Sequence, residues 1–140
     1  MTIELRAATL EDQHELFELA SQLATSYAVN REPFAIAYRS LVVDPNVDLI
    51  VAVSKTKIIG YVLAFHHLTF YANGMVSWVE EIFVQEAYRR QNIGNQLMQE
   101  AEARAQKRGS KLVALATRRA GHFYQAIGYE ESATYYKKLL

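Results

Sequence analysis

Arg89-Arg90-Gln91-Asn92-Ile93-Gly94 follows directly on an apolar run that ends at Val84 and the short polar stretch Gln85-Glu86-Ala87-Tyr88. These residue types in this order can hold an anion. A helix opening at Asn92–Gly94 would leave its first N–H groups free and aim the positive end of its dipole outward. Asparagine and glycine tolerate the backbone angles that let a chain approach a phosphate closely. Two arginines add full charge. The ligand expected here carries phosphate, most naturally a diphosphate. The plainer alternative is an ordinary strand–turn–helix connection with solvated arginines.

The elements that must position this turn can be read from periodicity. Ile3-Glu4-Leu5-Arg6-Ala7 alternates like a short strand. Thr9 with Asp12 three residues on makes a weak capping box, and Leu16, Leu19, Ala20 and Leu23 then share a helical face. Pro33 suits a first helical turn; Ala37, Tyr38, Leu41 and Val42 continue a stripe that Asp44-Pro45-Asn46 breaks. Leu49–Val53 and Ile58–Phe65 read as a hairpin around Ser54-Lys55-Thr56-Lys57. Thr69–Gly74 is a loop and Val76–Val84 a strand. A helix is predicted from Asn92 to Arg108, burying Ile93, Leu97, Met98, Ala101 and Ala105 and ending at Gly109. Leu112–Ala116 reads as a strand, Ala120–Ile127 as a short helix, and Tyr129–Leu140 has room for one or two closing strands. The order β-α-α-β-β-β-α-β-α-β describes a mixed α/β domain spanning 1–140 without linker or repeat.

Two segments carry a resemblance. Arg89-Arg90-Gln91-Asn92-Ile93-Gly94 resembles the acyl-CoA-binding motif of the GNAT superfamily of N-acetyltransferases, Arg/Gln-x-x-Gly-x-Gly/Ala, with Asn92 in place of the first glycine. About thirty residues later, Ala120-Gly121-His122-Phe123-Tyr124-Gln125-Ala126-Ile127-Gly128-Tyr129 resembles a second signature, Ala-x-x-Phe-Tyr-x-x-x-Gly-Phe/Tyr. The element order is similar across nearly the whole chain. The resemblance implies a GNAT-type acyl-CoA N-acyltransferase fold. It has a central mixed, twisted sheet whose splayed strands admit the pantetheine arm, flanked by about four helices. It implies acetyl-CoA as co-substrate, held by Ile82, Phe83 and Val84 on the strand, by Arg89, Arg90, Gln91, Asn92, Ile93, Gly94 and Asn95 at the turn, and by Tyr124. It further implies that Tyr124 lies near the sulfur and protonates the departing thiolate; packing alone is the other reading of that side chain. Thr117-Arg118-Arg119 is short and lacks an asparagine common there in relatives.

Making an amide from a thioester requires a neutral amine, a donor for the oxyanion, an acid for the thiolate, and reactants held together. Glu80 and Glu81 are the candidates for receiving the amine's proton. Adjacent in a strand, they face opposite ways unless a bulge intervenes. Trp78-Val79-Glu80-Glu81-Ile82-Phe83-Val84 resembles the corresponding strand of diamine acetyltransferases, where the first acid of the pair deprotonates the amine; carried over, this points to Glu80. Other relatives place an acid where this chain has Trp78. The oxyanion donor implied is a backbone N–H at Phe83 or Val84. His66 and His67 precede the aromatic loop Thr69-Phe70-Tyr71 and read as core or surface histidines before substrate contacts. Their adjacency makes no metal site, and none is expected. Tyr27, Tyr38, Tyr135 and Tyr136 pack by default, with a pocket lining as the alternative.

Composition narrows the class. The apolar fraction of 51% argues against disorder, and 15 basic residues balance 15 acidic ones, against a nucleic-acid-binding surface. No long uncharged apolar run or signal-peptide pattern is present, so no membrane partner is expected and the location expected is cytoplasmic. Without cysteine there is no disulfide framework and no cysteine acyl-enzyme, which favours direct attack by the acceptor in a ternary complex. The acceptor expected is a primary amine on a small molecule. Along its length, including Asp44-Pro45-Asn46 and Asn92, the chain also looks like aminoalkylphosphonate acetyltransferases. The two resemblances disagree on acceptor charge, which stays open at this level. A non-catalytic CoA-binding sensor or assembly module, and an enzyme acting on protein lysines or N-termini, are the rival readings; a homodimer is compatible with each.

Overall fold

The computed structural model describes residues 2–140. A five-stranded sheet runs in the order β1-β2-β3-β4-β5, formed by Ile3–Ala7, Val47–Ser54, Lys57–Thr69, Gly74–Val84 and Val113–Ala114. The first four strands pair antiparallel, and β5 joins β4 in parallel. Helices α1 (Gln13–Leu23) and α2 (Arg31–Leu41) follow β1, α3 (Ile93–Lys107) crosses over from β4 to β5, and α4 (Gly121–Ala126) comes last.

Strand alternation sends two sets of side chains to opposite faces of the sheet. Val51, Tyr61, Leu63 and Phe83 pack with Leu16, Leu19 and Tyr38 from α1 and α2. Ile50, Ala52, Val62, Ala64 and Val79 pack with Ile93, Leu97, Met98 and Ala101 from α3 and with Tyr124 from α4. The α3 stripe is the one its sequence spacing predicts. Burying such side chains contributes about 1.5–3 kcal/mol each before entropy is counted, so the seat of α3 is firmly set. Gly60 fixes how closely it sits: a Cβ there would lie 2.8 Å from the Phe83 carbonyl oxygen and 3.4 Å from Leu97 Cδ1. At the start of α1, the Asp12 carboxylate accepts from the Thr9 N–H at 2.8 Å and pairs with Arg6 at 2.8 Å, so the capping signal read at Thr9 is used.

Three differences from the sequence reading bear on the site. β3 and β4 form one long hairpin reaching Thr69 and Gly74, beyond the expected ends at Phe65 and Val76. β5 has only two residues where five were expected, because it pairs with β4 only at Ser77↔Val113 and Trp78↔Ala114 before the strands part. The closing strands expected in Tyr129–Leu140 do not form: after α4 the chain carries no helix or strand, and 130–140 is exposed throughout. A two-residue β5 offers too short an edge to template a further ladder. Lys137 Nζ donates to Ser26 Oγ at 3.1 Å, which brings the tail to the α1–α2 loop.

Candidate active site

The sheet opens where β4 leaves β5. Beyond Trp78, the edge of β4 that faced β5 has no strand partner. Gln85 N–H donates to Ile59 O across β3 at 2.8 Å. Counting back by alternation, Phe83 turns its main-chain N–H toward β3, while Ile82 and Val84 turn theirs into the gap. The Val84 carbonyl, on the gap side, accepts from Arg89 Nε at 2.8 Å.

At the wide end of the gap, a 3₁₀ turn at Glu86–Tyr88 leads into the arginine turn. Arg90 and Asn92 both take left-handed backbone, at φ 64° and 68°. Asparagine does so at little cost, and Asn92 fills the place where the motif has glycine. Asn95 Nδ2 donates to Asn92 Oδ1 at 3.1 Å, and the first intrahelical bond of α3 is Gln96 N–H to Asn92 O at 3.1 Å. The N–H groups of Ile93, Gly94 and Asn95 therefore have no acceptor within the helix. The Arg89 guanidinium lies 5.3 Å from the centre of the Phe83 ring, and Arg90 is exposed. Gly94 faces Phe123: a Cβ at Gly94 would sit 3.6 Å from Phe123 Cζ. Donors, charge and a bare glycine surface together fit a diphosphate.

At the narrow end, just past the point where β4 and β5 part, the register of β4 slips. Leu63 pairs with Glu81 and Ala64 with Val79, which leaves Glu80 as the extra residue of a β-bulge. Core membership carries the same mark. Val79 belongs to the α3 side and Phe83 to the α1–α2 side, although strand positions an even number apart would otherwise share a face. Glu80 and Glu81, which simple alternation would separate, both line one large open cavity. Glu80 is exposed, with Trp78 Nε1 3.4 Å from its Oε2. Glu81 is half-buried and accepts from the Tyr61 hydroxyl at 2.7 Å. Burial first, and the Glu81 charge second, push the Tyr61 hydroxyl well above the ordinary tyrosine range, so it stays a donor.

Tyr124 reaches the same cavity from the other side of the gap. It is buried against Phe123 and Tyr129, ring centres 5.0 and 5.9 Å away. Burial raises its pKa, which keeps the hydroxyl protonated. Tyr129, in turn, donates to Glu102 of α3 at 2.6 Å. Tyr27, Tyr38 and Tyr135 line the cavity, Tyr38 buried with its hydroxyl donating to Thr9 O at 2.6 Å, whereas Tyr136 is exposed outside it. Thr117 Oγ1 accepts from the Ala120 N–H at 3.1 Å and so serves the start of α4.

The two histidines divide. His67 is exposed. His66 is buried in a chain of polar groups: Nε2 lies 2.8 Å from Asp48 Oδ2, Nδ1 lies 2.7 Å from Ser77 Oγ, and Ser77 Oγ lies 2.6 Å from Ser110 Oγ. Arg108 closes it with a 3.1 Å contact to Asp48. Burial holds the His66 pKa below the ordinary value despite Asp48. The Arg108 and His66 hydrogen bonds outweigh burial at Asp48 and lower its pKa. This chain pins the place where β4 and β5 meet. Nothing in the local sequence marks it, since its five members come from four separate segments. Nor did Tyr61 and Glu102 stand out in the sequence; a tyrosine inside an apolar strand and a glutamate on a helix carry no local signal.

Among the described residues no group of three His, Asp or Glu side chains is placed to hold a metal ion, and no helix is long and apolar enough to cross a membrane. Residues 45–131, from the approach to β2 through α4, match the family model described as an acetyltransferase (GNAT) domain. Solved structures share the fold over the full chain. One is a transcriptional regulator from Bacillus halodurans, 24% identical with a TM-score of 0.89, covering 99% of this chain and 100% of that one. Another is glucosamine-6-phosphate N-acetyltransferase from Arabidopsis thaliana, 19% identical with a TM-score of 0.87, covering 99% of both chains. A third is an aminoglycoside acetyltransferase from an uncultured soil metagenomic sample, 16% identical with a TM-score of 0.80, covering 99% of this chain and 96% of that one. No curated protein matches the sequence.

Proposed function

The chain belongs to the GNAT acetyltransferases, and on that premise we propose that it moves an acetyl group from acetyl-CoA to a primary amine of a small molecule by direct attack. The observation that carries this reading is the β4 bulge, which brings two carboxylates into the same cavity as a buried, protonated tyrosine. A module that only bound CoA would need the arginine turn but not this arrangement.

Each residue then has a task. The free N–H groups of Ile93, Gly94 and Asn95 hold the diphosphate, with Arg90 and Gln91 beside them. Arg89, tied to Val84 O, braces the strand end against the turn. Ile82 and Val84 offer main-chain N–H groups along the gap, to align the pantetheine arm and to stabilise the oxyanion; Phe83 shapes the gap through its ring. Acetyl-CoA supplies the activated acyl group. Glu80, at the bulge and open to the cavity, takes the proton of the incoming ammonium, directly or through water. Tyr124 supplies a proton to the leaving thiolate. Reaction inside a cytoplasmic compartment fits the absence of cysteine.

Free-thiol release from acetyl-CoA, measured across a panel of small amines, tests this reading. Thermal unfolding with CoA and with acetyl-CoA tests the turn separately; a hundredfold excess over the dissociation constant should add about 2.7 kcal/mol of stability. Stabilisation by both, with acetylation of at least one small amine, is expected. Stabilisation without any turnover would leave the chain a CoA-binding module.

A further inference from the structure

The inward-facing aspartates of this protein are paired with cations of their own chain. Asp12 is held by Arg6 at 2.8 Å, and Asp48 by Arg108 at 3.1 Å and Arg104 at 3.6 Å. Glu81 is not. It is half-buried, and among the described residues the one hydrogen-bond partner of its carboxylate is the neutral Tyr61 hydroxyl. Tyr61 is 2% exposed and sits in the strand next to β4, so it cannot swing away. One oxygen of Glu81 is thus fixed from below while the residue opens on the cavity. A half-buried carboxylate that has no counter-charge from its own chain and opens on a cavity is a place for a cation from outside.

From this arrangement we infer that Glu81, aimed by Tyr61, receives a positive charge of the acceptor, and that the acceptor is a cationic amine rather than one bearing a phosphate, phosphonate or carboxylate. The inference rests on the acetyltransferase reading of the same cavity. The other charges of the cavity wall agree with it. Glu80, Glu102, Glu130 and Glu131 line it against Arg118 and Lys137. Glu102 is likewise held by a tyrosine hydroxyl rather than a cation, and the Lys137 ammonium is turned to Ser26. Trp78, Tyr27 and Tyr71 supply aromatic faces to the same wall, which favour a cation and its methylene chain. Tyr61 acts only through Glu81 and is a positioning residue.

Steady-state acetylation of 1,4-diaminobutane, n-butylamine and 3-aminopropylphosphonate, at saturating acetyl-CoA, tests the inference. The diamine should exceed the phosphonate in kcat/KM by about tenfold or more, as expected when one charge contact is gained and one repulsion removed. Glu81→Gln should raise the diamine KM about tenfold, with kcat and the acetyl-CoA KM nearly unchanged. Tyr61→Phe, close in shape, should move the same KM in the same direction by less. A phosphonate acetylated as well as the diamine would overturn the inference while leaving the acetyltransferase reading intact. So would a Glu81→Gln protein that binds acetyl-CoA normally and shows an unchanged diamine KM. No acetylation of any amine would overturn both.

Discussion

The arginine turn after Val84 and the carboxylate cavity at Glu80 lie at opposite ends of one half-strand, and they are held by different means. At the turn the groups we assign to the diphosphate are main-chain N–H groups, positioned by two left-handed residues and by α3, whose apolar stripe is locked under the sheet. At the cavity they are side chains, positioned by a bulge, by one tyrosine hydroxyl and by a tail without regular structure. A main-chain site changes little when side chains change, and it suits a ligand that never varies. A side-chain site on a bulge and a loose tail can be altered residue by residue, and it suits an acceptor that differs between relatives. If this division is right, substitutions in the two regions should fall on different kinetic constants.

The largest effect is expected where the regions meet. Tyr124→Phe should lower turnover by about 10²–10⁴-fold, the range for a positioned acid, with acetyl-CoA affinity nearly intact. Its ring packing against Phe123 and Tyr129 survives the change, so thermal stability should hold. Unchanged turnover, with chemistry shown to be rate-limiting, would reduce Tyr124 to a packing residue.

Next comes the bulge. Glu80→Gln should lower kcat by about 10²-fold near neutral pH, and part of the loss should return above about pH 8, where more of the amine is already neutral. Glu81→Gln should leave kcat nearly alone. A pH–rate profile for Glu80→Gln that matches wild type would exclude it as the base. A uniform loss with a raised acceptor KM would make both acids binding groups.

The same contrast governs what could be read from the sequence. The turn was legible because main-chain sites leave their mark in residue type: glycine, asparagine and arginine at set spacing before an apolar helical stripe. The bulge was not legible. A slip of one residue in a strand changes no composition, and only the pairing of Leu63 with Glu81 reveals it. Tyr61 meets Glu81 across 20 residues of sequence, and Asp48 meets Arg108 across 60, so no local window contains either pair. The tail misled for a different reason. Its apolar and polar residues would suit a strand, but a strand needs an edge to pair with, and β5 ends after two residues.

The His66 chain tests the frame shared by both regions. With its pKa lowered by burial, His66 binds fewer protons folded than unfolded. It therefore contributes stability that is present above its unfolded pKa of about 6.5 and is lost as pH falls through the folded value. Asp48, also lowered, adds a second loss only below about pH 4. Denaturant titrations of wild type should show stability declining from about pH 6.5 downward. His66→Asn should cost about 1–3 kcal/mol at pH 7.5 and flatten that first decline. An equally steep decline in the variant would mean that another group carries it.

Gly94 probes the turn alone. A first carbon at this position meets Phe123 at an ordinary 3.6 Å, so Gly94→Ala should fold normally. The bulkier Gly94→Val should weaken acetyl-CoA binding by about tenfold, equivalent to about 1.4 kcal/mol, and leave the acceptor KM unmoved. If the acceptor KM rose instead, the two regions would be coupled through Phe123 and α4.

The smallest effect on stability, and the most selective on kinetics, should come from removing the tail. Residues 130–140 are exposed, carry no helix or strand, and lie outside both core clusters; Lys137 and Ser26 make the one side-chain hydrogen bond found there among the described residues. A chain ended after Tyr129 should therefore unfold within about 1 kcal/mol of the full protein, as expected for exposed segments away from the core. Yet Glu130, Glu131 and Tyr135 line the same cavity as Glu80 and Glu81, where we place the acceptor. Their loss should raise the acceptor KM while the acetyl-CoA KM, set by the turn, stays where it was. Stopped or continuous thiol assays on the shortened chain separate the two constants. A large fall in melting temperature would mean that the tail packs in solution as a strand, and a raised acetyl-CoA KM would mean that the nucleotide end of the gap depends on it too.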